Sequence, residues 1–234
     1  MTKNHLKKIL IPLILIACRP LSANAGKIIV FSGHSCSGKS TMARLLSKKI
    51  NAECLAEPEE SEWPLVVRKW YEYYASTAML AMRQFWIPLY VDANKLRNAG
   101  KTVCIDTYFL KTVGYYIDKP GMEWLVPAND PYLPLLRQMY ELDEDNLPDA
   151  DCVVLFDSSL QDWKQFLQAR GRDWDANPGF AESFAVSKKY VDAATIAHCK
   201  KYNIKLIHFT HQFGDPDIQA ERLKELLIAE NVLG

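Results

Sequence analysis

One octapeptide near the N-terminus has the residue types and the spacing of a phosphate-binding loop. Residues 33–40 read Gly-His-Ser-Cys-Ser-Gly-Lys-Ser and match the pattern G-x-x-x-x-G-K-[ST] at every position. The glycines let backbone N–H groups surround phosphate oxygens, the Lys39 ammonium neutralises the β and γ groups, and the Ser40 hydroxyl is a magnesium ligand. We therefore predict that this loop binds a nucleoside triphosphate with Mg²⁺, although the pattern alone does not separate kinases from GTPases or motor ATPases. The predicted nucleotide-binding residues are Gly33, His34, Ser35, Cys36, Ser37, Gly38, Lys39, Ser40 and Thr41, and Lys39 is also a predicted catalytic residue.

The residues on either side of the loop predict the elements that hold it. Residues 27–31 form a short run rich in β-branched side chains, as expected of a strand buried on both faces of a parallel sheet. Residues 39–50 carry apolar side chains at helical spacing. Strand, glycine-rich turn and helix thus follow one another in the order that the motif requires.

The rest of the chain alternates predicted strands with predicted helices. Further strands are predicted at 52–56, 102–106, 152–157 and 204–209, and helices at 63–74 (opened by Ser61 and Pro64), 77–98, 132–142, 160–169, 181–202 and 218–230. Such alternation gives a parallel sheet with right-handed crossovers. We predict an α/β fold of the P-loop NTPase type, a three-layer sandwich with a five-stranded parallel sheet and helices on both faces.

Length and composition limit the classes of protein. The chain has 234 residues, which suits one α/β domain, assigned to 26–234. Lysine plus arginine equals aspartate plus glutamate, 28 each, so no net field draws the protein towards nucleic acid. The six cysteines form no CxxC pair, which argues against a zinc site or a dense disulfide framework. We expect a small-molecule partner that is held locally, and no nucleic acid.

Residues 1–25 have features of an export signal. Three lysines precede an apolar run over 9–18, and residues 23–25 (Ala-Asn-Ala) offer a small-x-small cleavage pattern. The run is too short to cross a bilayer comfortably. We expect no stable membrane span once the signal is removed. Residues 15–18 also resemble a lipoprotein cleavage box, and a misassigned start or a loose extension is the remaining interpretation. ATP chemistry favours the cytoplasm whereas the signal favours export or a lipid anchor, so the location stays open.

From about Lys27 to Glu230 the chain resembles the deoxynucleoside kinase and thymidylate kinase group. Residues 55–58 (Leu-Ala-Glu-Pro), with Trp63 shortly after, look like the Glu-Pro segment of that family. The resemblance implies that Glu57 takes the proton from the acceptor hydroxyl, and that Glu57 and Trp63 both contact the acceptor. The alternative interpretation of Glu57 is an exposed loop acid.

A second point of resemblance lies on the predicted long helix. Along the sequence, Gln84 lies at a distance from the third strand similar to that of the family's base-reading glutamine. The resemblance therefore implies that Gln84 contacts the acceptor's base. Phe85, Trp86 and Trp63 would then form apolar walls around that base. The alternative is a helix whose aromatic residues pack in the core.

A third point lies at the end of the predicted strand over 102–106. Asp106 takes the place of a family acid, and the resemblance implies that it holds magnesium through water. Thr107 stands where the family has an arginine that binds the acceptor end or its phosphate. Arg83, an expected acceptor contact, and Arg68 are the candidates to replace that arginine.

A fourth point is similar to the family's arginine-rich lid. Residues 168–173 read Gln-Ala-Arg-Gly-Arg-Asp, which lacks the first arginine of the lid pattern. Lid arginines neutralise charge on the transferring phosphoryl group, and lid closure removes water. The resemblance therefore implies that Arg170 and Arg172 are catalytic. The alternative is an arginine-glycine turn that ends a helix.

These residues together predict a P-loop kinase with ATP and Mg²⁺ as cofactors. The Glu-Pro segment favours a nucleoside or deoxynucleoside acceptor, and Thr107 leaves a nucleoside monophosphate without an obvious partner. A monophosphate or another small hydroxyl compound remains the alternative acceptor. An alternative of another class is a nucleotide-binding protein with little catalysis, which could be exported. The oligomeric state is open, and a homodimer is compatible with the sequence.

Overall fold

The computed structural model describes residues 26–111, 113–172 and 178–234. Its strands are β1 (Ile28–Gly33), β2 (Glu53–Leu55), β3 (Val103–Ile105), β4 (Cys152–Asp157) and β5 (Lys205–Thr210). They form a parallel sheet in the order β2-β3-β1-β4-β5, which confirms the predicted five-stranded parallel sheet. Because β1 is the central strand, the loop that follows it lies in the middle of the sheet's carboxyl edge.

Helices connect the strands. They are α1 (Lys39–Lys49), α2 (Leu65–Arg68), α3 (Ala75–Asn98), α4 (Val113–Tyr116), α5 (Leu133–Asn146), α6 (Leu160–Arg170), α7 (Pro178–Glu182), α8 (Phe184–Lys201) and α9 (Pro216–Ala229), with 3-10 turns at Glu60–Glu62, Trp70–Glu72 and Phe109–Lys111. Within the described ranges, no helix has both the length and the apolar character needed to cross a bilayer. The predicted export signal over 1–25 lies outside the described residues.

Two apolar clusters cover the two faces of the sheet. On one face, Ile29 and Phe31 of β1 pack with α1 and α9. On the other face, Ile28 and Val30 pack with α3 and α8. Successive strand residues point to opposite faces, so a continuous apolar run is what a strand covered on both sides requires. The three-layer α/β fold is thereby confirmed.

Two predicted helices are interrupted. The segment predicted as a helix over 63–74 consists of α2 and two 3-10 turns, and the backbone leaves the helical region at Lys69 and Tyr73. Tyr71 and Tyr74 are exposed, so a longer helix would gain little apolar burial here, and such burial is what stabilises most helices. The helix predicted over 181–202 is interrupted at Ser183, between α7 and α8.

Asp130 ties the loop before α5 to the start of α3. Its buried carboxylate accepts hydrogen bonds from the Ser76 backbone N–H at 2.8 Å, the Ser76 hydroxyl at 2.6 Å and the Tyr132 N–H at 3.0 Å. Asp130→Ala leaves these donors unpaired, so we expect the free energy of unfolding to fall by about 2–3 kcal/mol in urea denaturation. Asp145→Ala, at an exposed position of α5, is expected to change it by less than about 0.5 kcal/mol. Equal losses in the two variants would contradict this role of Asp130.

Candidate active site

A cavity of ≈ 490 Å³ lies at the carboxyl ends of β1, β2 and β3. Residues 34–41, which follow β1, form one side of it. Glu57 enters it two residues after β2 ends, and Asp106 enters it directly after β3. Arg170 and Arg172, from the end of α6, complete this side. The structure thus gathers the predicted loop, acids and lid arginines around one cavity, as expected where the ligand side of an open α/β sheet lies.

Both glycines of the loop pattern are required by the backbone and by its neighbours. Gly33 has φ 138°, and a Cβ at this position would lie 2.9 Å from the Phe156 carbonyl oxygen. Gly38 has φ 79°, and a Cβ there would lie 2.3 Å from Cε1 of His211. Side chains other than glycine are strained at such φ values. The sequence pattern therefore reflects both backbone conformation and close packing.

Lys39 is held in the hollow of the loop. Its ammonium donates hydrogen bonds to the Gly33 carbonyl at 3.0 Å and the His34 carbonyl at 2.6 Å. Lys39 is also the first residue of α1, so the positive end of that helix dipole faces the same space. An ammonium and a helix N-terminus that face one hollow make it a site for phosphate oxygens.

Glu57 is oriented by two neighbours. Its Oε1 accepts a hydrogen bond of 2.5 Å from the Trp86 indole N–H. Its backbone N–H donates to Oδ1 of Asp106 at 3.0 Å, and Asp106 is buried. The sequence predicted Trp86 only as an apolar wall, so its hydrogen bond to the carboxylate is a finding of the structure. The carboxylate that was expected to act as base is thus positioned rather than loosely exposed.

Two arginines converge on Glu59 at the mouth of the cavity. Arg44 of α1 lies 2.6 Å from Oε1 of Glu59, and Arg172 lies 3.0 Å from Oε2. The hydrogen bond from Arg44 is the main reason why the pKa of Glu59 is lowered. The Arg172 guanidinium also stacks over the Trp63 ring, 5.5 Å from its centroid. Sequence reasoning missed Arg44 and Glu59, because nothing in the sequence shows that α1 meets the loop after β2.

The structure does not bring the other predicted acceptor residues to the cavity. Arg83 forms an ion pair with Asp143 of α5, and Gln84 is exposed. Arg68, exposed, donates to the Trp63 carbonyl at 3.1 Å. Arg68, Arg83 and Gln84 are thus not among the described residues that line the cavity. Gln84 lies about 200° around the helix from its cavity-facing neighbours Met82 and Trp86, since each residue turns an α-helix by about 100°.

The face of α3 that does meet the cavity carries a regular stripe of residues. It consists of Ala75, Ala78, Met79, Met82 and Trp86, which recur at intervals of three and four. This spacing is visible in the sequence, but the same pattern is usual for a helix packed in a core.

Thr107, which was expected near the acceptor, is buried, and its carbonyl accepts from the Tyr90 hydroxyl at 3.0 Å.

His34 connects the loop to the helices after the lid. Its Nδ1 lies 2.8 Å from the Ser35 carbonyl and therefore donates to it, so Nε2 accepts from the Ser187 hydroxyl at 2.6 Å. The ring stacks on Phe180, with centroids 5.7 Å apart. Burial is the main cause that lowers the pKa of His34 to about 3. The histidine is therefore neutral in the folded protein at neutral pH.

This neutral histidine predicts acid sensitivity. The ordinary histidine pKa is 6.5 and the folded pKa is about 3, so its stabilising contribution is complete above pH 6.5 and is lost as pH falls towards 3. Between pH 7 and pH 4.5 we expect this group to account for about 2–3 kcal/mol of lost unfolding free energy. Urea denaturation at each pH should show a shallower dependence in His34→Asn than in the wild-type protein. His208→Asn, which alters an exposed histidine, should keep the wild-type slope, and an unchanged slope in His34→Asn would refute the assignment.

The fold places the protein in a structural class. The fold is similar to that of deoxynucleoside and thymidylate kinases, as the resemblance in the sequence implied. A deoxyadenosine kinase from M. mycoides, solved with dCMP and dCDP, matches with a TM-score of 0.61 and 19% identity, over 86% of this chain and 99% of that chain. A thymidylate kinase from Candida albicans matches with a TM-score of 0.60 and 17% identity, over 88% and 93%. No family model matches the sequence, and no curated protein matches it either.

Proposed function

We propose that the protein transfers the γ-phosphoryl group of ATP to a hydroxyl group of a small acceptor, for which a nucleoside or deoxynucleoside is the preferred class. One observation carries the proposal: the loop with Lys39 and the oriented carboxylate of Glu57 line the same cavity. A site that only binds nucleotide needs the first of these features but not the second. The similarity in fold to kinases that act on nucleosides and nucleotides supports the same conclusion.

Each group has a distinct part in the transfer. Lys39 and the N–H groups at the start of α1 hold the β and γ phosphates. Glu57 accepts the proton of the acceptor hydroxyl while the new bond forms between that oxygen and the γ-phosphorus. The bond from the γ-phosphorus to the bridging oxygen breaks, and ADP leaves. Arg170 and Arg172 neutralise the charge that develops on the transferring group.

Magnesium fits the donor atoms that the cavity offers. Ser40 and Asp106 contribute a hydroxyl and a carboxylate, which are the hard oxygen ligands that this ion prefers. Among the described residues, no group of three or more histidines, cysteines, aspartates and glutamates could hold a metal alone. Phosphate oxygens and water would therefore complete the shell. The ion, when bound, screens the negative charge of the phosphates.

The charges near the acceptor favour an uncharged nucleoside over a monophosphate. Arg44 and Arg172 line the acceptor side of the cavity, but both pair with Glu59. A second phosphate group would have to compete with that carboxylate for the two arginines. A nucleoside brings no such charge, so Arg172 has to leave Glu59 only for the transferring phosphoryl group, and the Arg44–Glu59 pair can stay intact.

Phosphoryl transfer by the full-length protein tests the proposal. Radiolabelled ATP would be supplied with nucleosides, nucleoside monophosphates and simple alcohols, and labelled products would be separated by chromatography. We expect labelled product from nucleosides, with transfer to monophosphates at least about tenfold slower. Tight ATP binding without transfer to any acceptor would refute the kinase and favour a nucleotide-binding protein.

A further inference from the structure

Part of the cavity lining consists of aromatic and thioether side chains. Its walls include Trp63, Trp70, Trp86, Trp124, Met79 and Met82. Tryptophan offers a large flat surface, and the flexible methionine side chain adapts to the shape of what it contacts. We call these six residues the apolar wall. A flat or apolar group would bury its surface well against such a wall.

The charged groups of the cavity adjoin the apolar wall at two points, where Arg172 lies over the Trp63 ring and where Trp86 donates to Glu57. The Arg44–Glu59–Arg172 cluster and the contact between the Glu57 N–H and Asp106 link them to one another. Among the described residues that line the cavity, none is an asparagine or a glutamine. The side-chain amides that usually read the edge of a base are thus absent from this part of the lining. Gln84, the amide that the sequence suggested for this task, is exposed on α3.

Two of the indole N–H groups of the apolar wall already have acceptors within the protein. The Trp63 indole donates to the Pro58 carbonyl at 3.0 Å, and the Trp86 indole donates to Glu57 at 2.5 Å. These N–H groups are therefore already engaged, so an occupant would contact the carbon surface of the two rings, of which Trp63 has one face covered by Arg172. The Trp86 contact also places the wall directly beside the carboxylate that would accept the acceptor's proton.

The kind of side chains in a binding site determines how strongly the site discriminates between ligands. A site built to hydrogen-bond a ligand rejects an analogue that lacks the matching groups by about 10⁴–10⁵-fold, because buried polar groups of the site are then left unpaired. An apolar pocket leaves nothing unpaired, and it distinguishes ligands only by size and shape, by about 10–200-fold. The apolar wall belongs to the second kind of site.

We propose that the acceptor carries a flat aromatic head group that the protein selects by stacking and shape, not by hydrogen bonds to the edge of the ring. This inference rests on the proposed function, since the hydroxyl of the same molecule would face Glu57. It goes beyond that function, because it states that the identity of the hydrogen-bonding groups on the base matters little. Non-natural nucleosides with apolar bases should then be acceptors as good as natural ones of equal shape.

Binding of a matched pair of ligands tests this inference. The pair is thymidine and its isostere in which 2,4-difluorotoluene replaces the base, so the shape is kept and the hydrogen-bonding groups are lost. The change in tryptophan fluorescence on titration reports binding directly, since four tryptophans form part of the apolar wall. We expect the two Kd values to agree within about threefold. A loss of more than about 100-fold for the isostere, or no binding of either ligand, would overturn the inference.

Two variants and a separate assay sharpen the result. Gln84→Ala should leave both Kd values unchanged, whereas Met82→Ala should raise both by about tenfold, because it removes contact surface from either ligand alike. A Gln84→Ala change that weakens thymidine but not the isostere would count against the inference. Transfer of labelled phosphate to the two ligands is measured separately. Equal binding without transfer would sustain the inference about recognition and refute the proposed kinase.

Discussion

Replacement of Lys39 by alanine is expected to reduce phosphoryl transfer by about 10³-fold or more. The ammonium is the cation held in the hollow of the loop by the Gly33 and His34 carbonyls. Such a cation stabilises the charge that develops on the transferring phosphoryl group in the transition state. Loss of the Lys39 ammonium therefore raises the activation barrier. Initial rates of ADP formation in the presence of a nucleoside acceptor would measure the effect, and ATP affinity should fall as well.

Lys48→Ala is the matched control for this variant. Lys48 lies in the same helix α1 but is exposed near its C-terminal end, away from the loop. We expect its rate to stay within about twofold of wild type. If Lys39→Ala kept more than about a tenth of the wild-type rate, Lys39 would not be the phosphate clamp that the geometry indicates.

Glu57→Gln should lower the rate of transfer by about 10²–10⁴-fold while ATP affinity stays close to wild type. The amide oxygen of glutamine can still accept the hydrogen bond from Trp86, so the packing around position 57 is preserved. What the variant lacks is a carboxylate able to take the acceptor's proton. Single-turnover transfer rates, together with ATP titrations, would separate this loss from any loss of binding.

Glu53→Gln serves as the control for the loss of a negative charge. Glu53 belongs to the same strand-and-loop segment but is exposed and pairs with Lys101 at 2.7 Å. We expect at most a small change in its transfer rate, because exposed ion pairs contribute little. Full activity in Glu57→Gln would exclude proton abstraction by this residue and would leave a binding role for the cavity.

The sheet and the glycine-rich turn between β1 and α1 could be predicted well because their signals are local. The apolar run of β1, the glycine pattern and the first turns of α1 are consecutive residues, and each one needs only its chain neighbours to adopt its conformation. The fourth strand was predicted with the bounds that it has in the structure, Cys152–Asp157. The segment over 63–74 was predicted poorly, because its exposed tyrosines resemble the apolar face of a helix without being buried.

The residues that line the cavity beyond the loop could be predicted only in part. The resemblance to a kinase family placed Glu57, Asp106, Arg170 and Arg172 at the cavity, and the structure does bring them there. It also suggested Gln84, which is exposed. A likeness in sequence carries over the order of elements, but it does not carry over the rotation of a helix about its own axis. The rotation depends on which of the helix's apolar residues pack against the rest of the protein.

What the sequence by itself determined is therefore the class of fold and the place and conformation of the glycine-rich loop. What only the tertiary structure decided is which side chains complete the site. The Trp86–Glu57 hydrogen bond joins residues 29 positions apart, and the Arg172–Glu59 pair joins residues 113 positions apart. Contacts of this range depend on how whole helices pack against the sheet. Packing minimises unburied apolar surface over the entire domain, and no local pattern of residues records that outcome.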